Sequence, residues 1–492
     1  MDKGNPQEEE AFSSSSSQSH VLIFPFPLQG HVNSMLKLAE LLCFAGINVT
    51  FLVSENVHSR LLLHSDVHRR LSLHPGAFQF KIYSDGLPQE DPRSGHEFLA
   101  HLLICLKTTI KDFFLDNYAL GPLGLPTCII SDGVMNFVLD VGEEKGIPVI
   151  YFRTIGASSF WCYFCLPQLI DSGEIPFQGT DMDLPIQNVT GMEGFLRRRD
   201  LPSICRSDLN NNPTLQGIMK ETLQTRRAWG LILNTFEDLE GPALLQIRTQ
   251  IPNVYTIGPL HAHSKIRLAE TIEMKKDVVS STSNSLWKED RSCISWLDSK
   301  PNNSVIYVSF GSLSILTREQ LVEFWHGLVS SGKCFLWVIR PESIVDGDGG
   351  VPIELEEGTK ERGYIVGWAP QEEVLGHPAV GGFLTHSGWN STLESIDHGL
   401  PMICWPYFLD QQVNSRLVES LWELGLDMKD ICDRLVVKRM IDELMDGRRD
   451  EFKMRAKHFA KLSHKAITSG GSSYSNLDRL IEDIRSMAHK RI

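Results

Sequence analysis

Two side chains in this sequence are placed to move a proton. His31 follows an apolar run and Gly30 and opens an amphipathic segment, so it stands where a strand turns into a helix. A neutral imidazole there can take a proton from a hydroxyl. The plain alternative is a histidine at a helix N-cap facing water, and the pattern alone favours it. Asp132 ends another apolar run, Cys128 to Ser131. A carboxylate on the far side of an imidazole would fix its tautomer and balance an imidazolium. A carboxylate capping the helix from Val134 is the alternative, and both can hold.

A second group lies between Trp368 and Gln411. Val380 to Thr385 reads as a buried strand and His386, Ser387 and Gly388 as a loop. Trp389 to Asp397 reads as a helix closed by Gly399 and Pro401, and Met402 to Trp405 as the next strand. In an open α/β sheet such a strand-to-helix loop receives anions, because the free N–H groups and the positive dipole end of the helix face the ligand. His386, Asn390 and Ser391 add donors at the same place. Glu394 shares a helix face with Asn390 and can accept from sugar hydroxyls. Trp368, at a strand end, offers an indole for stacking on a flat base, against the commoner role of a core tryptophan. The stretch reads as a diphosphate cradle with a hydroxyl-reading wall.

The elements that must position these groups follow one grammar twice. His20 to Phe26, His31 to Phe44 and Ile47 to Val53 form a strand, helix and strand. Further strands are expected at Phe78 to Tyr83, Cys128 to Ile130, Pro148 to Phe152 and Trp229 to Asn234, with helices at His96 to Leu115, Met135 to Glu144, Gly156 to Leu166 and Pro213 to Arg226. From Pro176 to Asn212 the pattern dissolves into Pro, Gly, Asp and Asn, as functional or mobile loops do. The second half restarts with a strand at Val305 to Phe310, a helix at Arg318 to Ser330 and strands at Cys334 to Ile339 and Tyr364 to Gly367, and Ser472 to Ile492 reads as a last amphipathic helix. The expected divisions are a disordered tail over 1–19, a first domain over 20–260, an aperiodic polar linker over 261–285, a second domain over 286–471, and a terminal helix over 472–492 returning to the first domain.

Composition narrows the class. At 492 residues the chain is too long for one core. Its net charge of −14 argues against nucleic acid and anionic membranes. No apolar run reaches the ~18 residues of a membrane span, and the acidic, Ser-rich start has no signal-peptide core. The ten cysteines are scattered in apolar runs, as buried free thiols are, so a cytoplasmic, reduced protein is expected. The pair Cys162 and Cys165 reads as part of a core helix face. His261 and His263 form the only HxH and read as a solvated pair opening the linker. Asp397 and His398 read as solvated capping groups, and His377 as structural. No metal site is expected. No GxGxxG follows the strands at His20 or Val305, which weighs against a nicotinamide-dependent oxidoreductase.

The stretch WAPQ…HSGWNS…DQ from Trp368 to Gln411 resembles the signature box of plant UDP-dependent glycosyltransferases, with Ser387 where cysteine is usual. QGHVN around His31 is similar to that family's QGHxN turn, with Ser34 replacing the usual proline, and ISD resembles its segment before the catalytic aspartate. The resemblance covers residues 20 to 485. It implies an α/β fold of two Rossmann-like parallel-sheet domains, the GT-B type, facing across a cleft, and it makes His31 the base and Asp132 its partner. It places Trp368, Ala369 and Gln371 at the uracil, Glu394 on the ribose, and Ser312, His386, Asn390 and Ser391 on the diphosphate. Asp410 and Gln411 would read the sugar, with Thr154 as a further donor. A terminal Gln goes with glucose, and an uncharged Trp389 suits it.

The reaction so implied is transfer of glucose from UDP-glucose, with inversion, to a hydroxyl or carboxyl of a small hydrophobic acceptor. UDP-glucose is a co-substrate, and no cofactor is expected. The chain looks closest to plant enzymes that glucosylate terpenoids, iridoids among them. The aromatic segment with Phe160, Trp161, Tyr163 and Phe164 is the expected acceptor wall. Arg153 is a candidate partner for an acceptor carboxylate. A phenolic or flavonoid acceptor is the alternative, as is a UDP-sugar-binding protein without turnover. A monomer is expected.

Overall fold

The computed structural model describes residues 19–72, 76–87, 95–115, 123–206, 213–272, 283–340 and 362–489, with residues 343, 344, 355 and 359. Residues 1–18 of the expected tail over 1–19, part of the linker (273–282) and part of the irregular loop (207–212) lie outside these residues, while Ser19 is buried and its carbonyl accepts from the Asn48 N–H at 2.9 Å.

Two parallel sheets carry the chain. The first joins β1 (His20–Phe24), β2 (Asn48–Ser54), β3 (Phe78–Tyr83), β4 (Cys128–Asp132), β5 (Val149–Arg153), β6 (Gly230–Leu233) and β7 (Val254–Thr256) in the order 3-2-1-4-5-6-7. The second joins β8 (Val305–Ser309), β9 (Cys334–Val338), β10 (Gly363–Val366), β11 (Val380–Thr385), β12 (Met402–Cys404) and β13 (Gly425–Asp427) in the order 10-9-8-11-12-13. Strands covered on both faces are mostly apolar, with polar residues such as Asn48, Asp132 and Arg153 at their ends, and β1, β2, β4 and β5 are buried at every residue. In each sheet the strand order reverses once, between β1 and β4 and between β8 and β11. An open sheet is split at such a reversal, because neighbouring crossovers leave to opposite faces and open a crevice at the carboxyl ends. The expected two-domain α/β fold is the one observed.

The terminal helix Ser472–His489 lies on the first sheet: Leu477, Leu480 and Ile484 join the core of Val21, Ile23 and Phe152. Its polar face is tied by Tyr255 Oη donating to Asp483 at 2.6 Å and Ser473 Oγ donating to the Gly258 carbonyl at 2.6 Å.

The aperiodic linker needs correcting over its first half. Residues Leu260–Ile272 form a helix, and Leu260, Ala262 and Leu268 are buried. His261 and His263 are buried rather than solvated: His261 Nε2 lies 3.4 Å from Asp397 Oδ2, and His263 Nδ1 pairs with the Ile257 carbonyl at 3.1 Å. Asp397 is likewise no solvated cap, because Ser463 Oγ donates to it at 2.7 Å beneath the helix Arg449–Ile467. The polar letters of this segment hid apolar partners supplied from far along the chain.

Candidate functional site

The reversal point of the first sheet brings His31 and Asp132 together. His31 lies in the first turn of the helix Gln29–Phe44, directly after β1, and Asp132 is the last residue of β4, the neighbouring strand. His31 Nδ1 and Asp132 Oδ2 are 2.6 Å apart. The histidine side chain is 23% exposed and the aspartate 1%. A carboxylate that close is an acceptor, so Nδ1 carries the proton and Nε2 is left with its lone pair. Thr154 Oγ1 lies 3.3 Å from the same Nδ1, beside the base. The N–H of Val134 donates to the second carboxylate oxygen at 3.2 Å, so Asp132 also caps the turn that follows it. The expected helix from Val134 starts only at Phe137, with Asn136 at its N-cap, so Asp132 caps a turn and not a helix.

The reversal point of the second sheet holds the cradle. His386 follows β11, and its ring sits between Gly311 and Gly388, where a side chain at either position would overlap Nε2. Burial pushes this imidazole down to about 4, helped by the charge of Arg340, so it is neutral at ordinary pH. Ser312 follows Gly311 in the loop after β8. Arg340 holds that loop through the carbonyls of Gly311 at 3.2 Å and Ser314 at 3.0 Å. The helix Trp389–Asp397 starts at the cradle with its first N–H groups free, and Asn390 and Ser391 lie in that turn.

A hydrogen-bonded wall continues from the cradle. Gln371 Nε2 donates to Ser391 Oγ at 2.9 Å and to Glu394 Oε2 at 2.7 Å. Burial and the nearby Glu372 carboxylate both raise Glu394. Trp368 stacks on Trp287, centroids 4.8 Å apart and planes 26° apart, so one indole face is already covered. Ala369, next to it, is buried. Asp410 and Gln411 start the helix Gln411–Arg416. Burial pushes Asp410 up to about 6. Asn414 donates to Asp410 Oδ2 at 3.0 Å and to the Ser387 carbonyl at 3.0 Å. Gln411 Oε1 accepts from the N–H groups of Tyr407 at 2.8 Å and Phe408 at 3.1 Å.

Base and cradle meet directly. Asn390 Nδ2 donates to the Gly30 carbonyl at 3.0 Å, and Ser34 Oγ donates to Asn390 Oδ1 at 3.1 Å. A part-buried ionic cluster lies alongside. Glu372 pairs with Lys37 and, at 2.7 Å, with Lys265. Burial alone would raise the Glu372 carboxyl, but Lys37, His261 and Lys265 outweigh it and hold it far below the usual range.

Three expected roles are corrected. The Trp389 indole does not face a sugar: it is buried against Gly156, and its N–H donates to the Asn234 carbonyl at 2.7 Å. Phe160 and the rings of Trp161, Tyr163 and Phe164 are core, since every residue of the helix Ala157–Phe164 is buried. Arg153 is buried as well, with Nη1 donating to the Gly133 carbonyl at 2.7 Å and the guanidinium over the Phe160 ring. An aromatic cluster in sequence looks the same whether it lines a pocket or fills a core.

Sequence reading passed over Trp287, Lys37, Lys265, Glu372, Arg340 and Asn414. Apart from the bond of Asn414 to Asp410, four residues away, they act through partners distant in the chain, which no local spacing marks. Among the described residues, no group of three or more His, Cys, Asp or Glu is placed to hold a metal ion. No described helix is long and apolar enough to cross a membrane.

Comparison with known proteins bears on this geometry. A family model described as UDP-glucoronosyl and UDP-glucosyl transferase matches residues 251–455. The chain is 57% identical over 475 residues to a 7-deoxyloganetic acid glucosyltransferase of Catharanthus roseus, covering 95% of this chain and 98% of that protein. It is 45% identical over 473 residues to a myricetin 3-O-rhamnoside 1,2-glucosyltransferase of Crocosmia x crocosmiiflora, covering 95% and 96%. Its fold matches the crystal structure of Os79 from O. sativa in complex with UDP, with a TM-score of 0.78 and 27% identity over 94% of this chain and all of that one.

Proposed function

We propose, for a chain that belongs to the UDP-glucosyltransferase family, that it moves glucose from UDP-glucose onto an oxygen of an iridoid acid of the 7-deoxyloganetic acid type. The observation that carries the chemistry is the 2.6 Å contact of His31 Nδ1 with Asp132, set one residue from the carbonyl that Asn390 grips. His31 Nε2 takes the acceptor proton, and Asp132 balances the imidazolium. The diphosphate leaves toward the neutral His386 and the first turn of the helix Trp389–Asp397, whose N–H groups face the developing charge. Glu394 and Gln371 hold the ribose, and the open face of Trp368 takes the uracil. Asp410 and Gln411 hold the glucose. The acceptor attacks from the face opposite the leaving UDP, so configuration inverts. The cradle neutralises UDP without a metal ion.

The acid acceptor is favoured by the 57% identity to the Catharanthus protein over nearly the whole chain. A flavonoid glycoside is the second reading, favoured by the 45% relative. The protein acts as a monomer in the cytoplasm, in keeping with ten free cysteines.

The test is UDP release with 7-deoxyloganetic acid and with myricetin 3-O-rhamnoside, products being identified by mass. Faster turnover of the acid supports the first reading, and faster turnover of the flavonoid replaces it with the second. His31→Ala is expected to lose transfer by about two to four orders of magnitude while still binding UDP. Retained transfer would remove His31 from the role of base.

A further inference from the structure

We propose that Arg153 is a positioning residue of the His31–Asp132 pair: it ties down the peptide that follows Asp132 and sets a fixed positive charge behind it. The proposal rests on His31 being the base. Arg153 ends β5, beside β4, and Asp132 pairs in register with Phe152. The N–H of Gly133 donates to the Phe152 carbonyl at 2.9 Å, and Arg153 Nη1 donates to the Gly133 carbonyl at 2.7 Å. Gly133, next to the carboxylate, is therefore held through both its N–H and its carbonyl by β5. Residue 133 has to be glycine for this, because a Cβ there would overlap Arg153 Cδ and lie 3.2 Å from Cγ.

The guanidinium packs over Phe160, 5.6 Å from the ring centroid, and Arg153 is only 4% exposed. Its fork is closed to an acceptor by a peptide carbonyl and a core ring. A buried cation needs a counter-charge. The groups that bear on Arg153 are Asp132 on β4, Tyr151 on its own strand, Tyr163 on the helix Ala157–Phe164 and Glu221 on the helix Pro213–Gln224. Asp410 of the second domain also feels both Arg153 and His31. Burial raises both phenols, so they stay neutral. Burial pushes Glu221 up to about 7, so it is part-protonated near neutrality. Of these the Asp132 carboxylate weighs most on Arg153, with a part-ionised Glu221 beside it.

The test compares Arg153→Met and Arg153→Lys with the parent and with His31→Ala, using 7-deoxyloganetic acid and its methyl ester as acceptors. For Arg153→Met, kcat should fall about tenfold with either acceptor, and the acid limb of its pH profile should move up by roughly half a unit or more. Removing the positive charge favours the imidazolium, hence the upward direction. Arg153→Lys should keep the limb in place. UDP affinity by calorimetry should match the parent in both. If Arg153→Met fails to bind UDP, Arg153→Gln, which keeps a donor for Gly133 without the charge, reads the same limb. A loss confined to the acid, seen as raised KM, overturns the proposal and returns Arg153 to the acceptor. An unmoved limb overturns it as a merely structural role. Full transfer by His31→Ala defeats the reading of the base instead.

Discussion

Asn390 donates its side-chain amide to the backbone carbonyl of Gly30, 3.0 Å away across the boundary between the two domains. Gly30 precedes His31, and Asn390 lies in the first turn of the helix at the cradle. This hydrogen bond, with that from Ser34 to Asn390, ties the turn that carries His31 to the cradle. Asn390→Leu removes it and the phosphate donor together. Its kcat/KM for UDP-glucose should fall about tenfold, equivalent to ~1.4 kcal/mol. Steady-state kinetics with varied UDP-glucose checks this, and an unchanged value removes Asn390 from the site.

Asp132→Asn keeps the shape of the residue but removes the charge that balances the imidazolium. An amide can also present N–H to His31 Nδ1 and so favour the wrong tautomer. We expect kcat to fall by about two to four orders of magnitude with little change in UDP affinity. Calorimetry with UDP beside single-turnover kinetics separates the two effects.

Asp410 gives the donor site a pH dependence. Burial raises its carboxyl to about 6, so it is ionised above that pH and protonated below. A protonated carboxyl accepts more weakly from sugar hydroxyls, and one of its oxygens becomes a donor. The KM for UDP-glucose should therefore rise as pH falls through about 6, while binding of UDP alone stays flat. In Asp410→Asn the dependence should vanish, with KM high throughout. His386, already neutral there, adds no slope.

Lys37 and Glu372 join the first helix to the second domain, and both are largely buried. Removing Glu372 strands the buried Lys37, which costs about 3–5 kcal/mol, whereas removing both is far milder. Glu372→Met should therefore lower the melting temperature sharply, and Lys37→Met less, because Glu372 keeps Lys265. The double variant Lys37→Met/Glu372→Met should recover much of it. Thermal unfolding of the four proteins closes the cycle, and additive losses would show that the pair is not coupled.

Trp287 covers one face of Trp368. A stacked aromatic pair contributes about 0.5–1.5 kcal/mol beyond its buried area. In Trp287→Ala the Trp368 ring loses its backing, and UDP should bind several-fold more weakly. Quenching of tryptophan fluorescence by UDP measures the change.

The strand-and-helix grammar of both halves was legible in the chain, because strands covered on both faces must be apolar along their length and helices must repeat at their own period. The places of His31, Asp132 and the cradle residues were legible as strand-to-helix junctions, a local pattern, while their expected roles came only from the family resemblance. What the sequence by itself determined is therefore two similar sheets and the loops at their carboxyl ends. The tertiary structure alone decided which loops meet. Strand order puts β1 beside β4 and β8 beside β11, and only that order brings Asp132 to His31 and the Gly311 loop to His386. It also decided what faces inward. The polar run from Leu260 became a buried helix because partners elsewhere cover it, and Arg153, Phe160 and Trp389 turned to peptides and rings rather than to substrate. Burial depends on contacts between residues far apart in the chain, and local spacing carries no record of them.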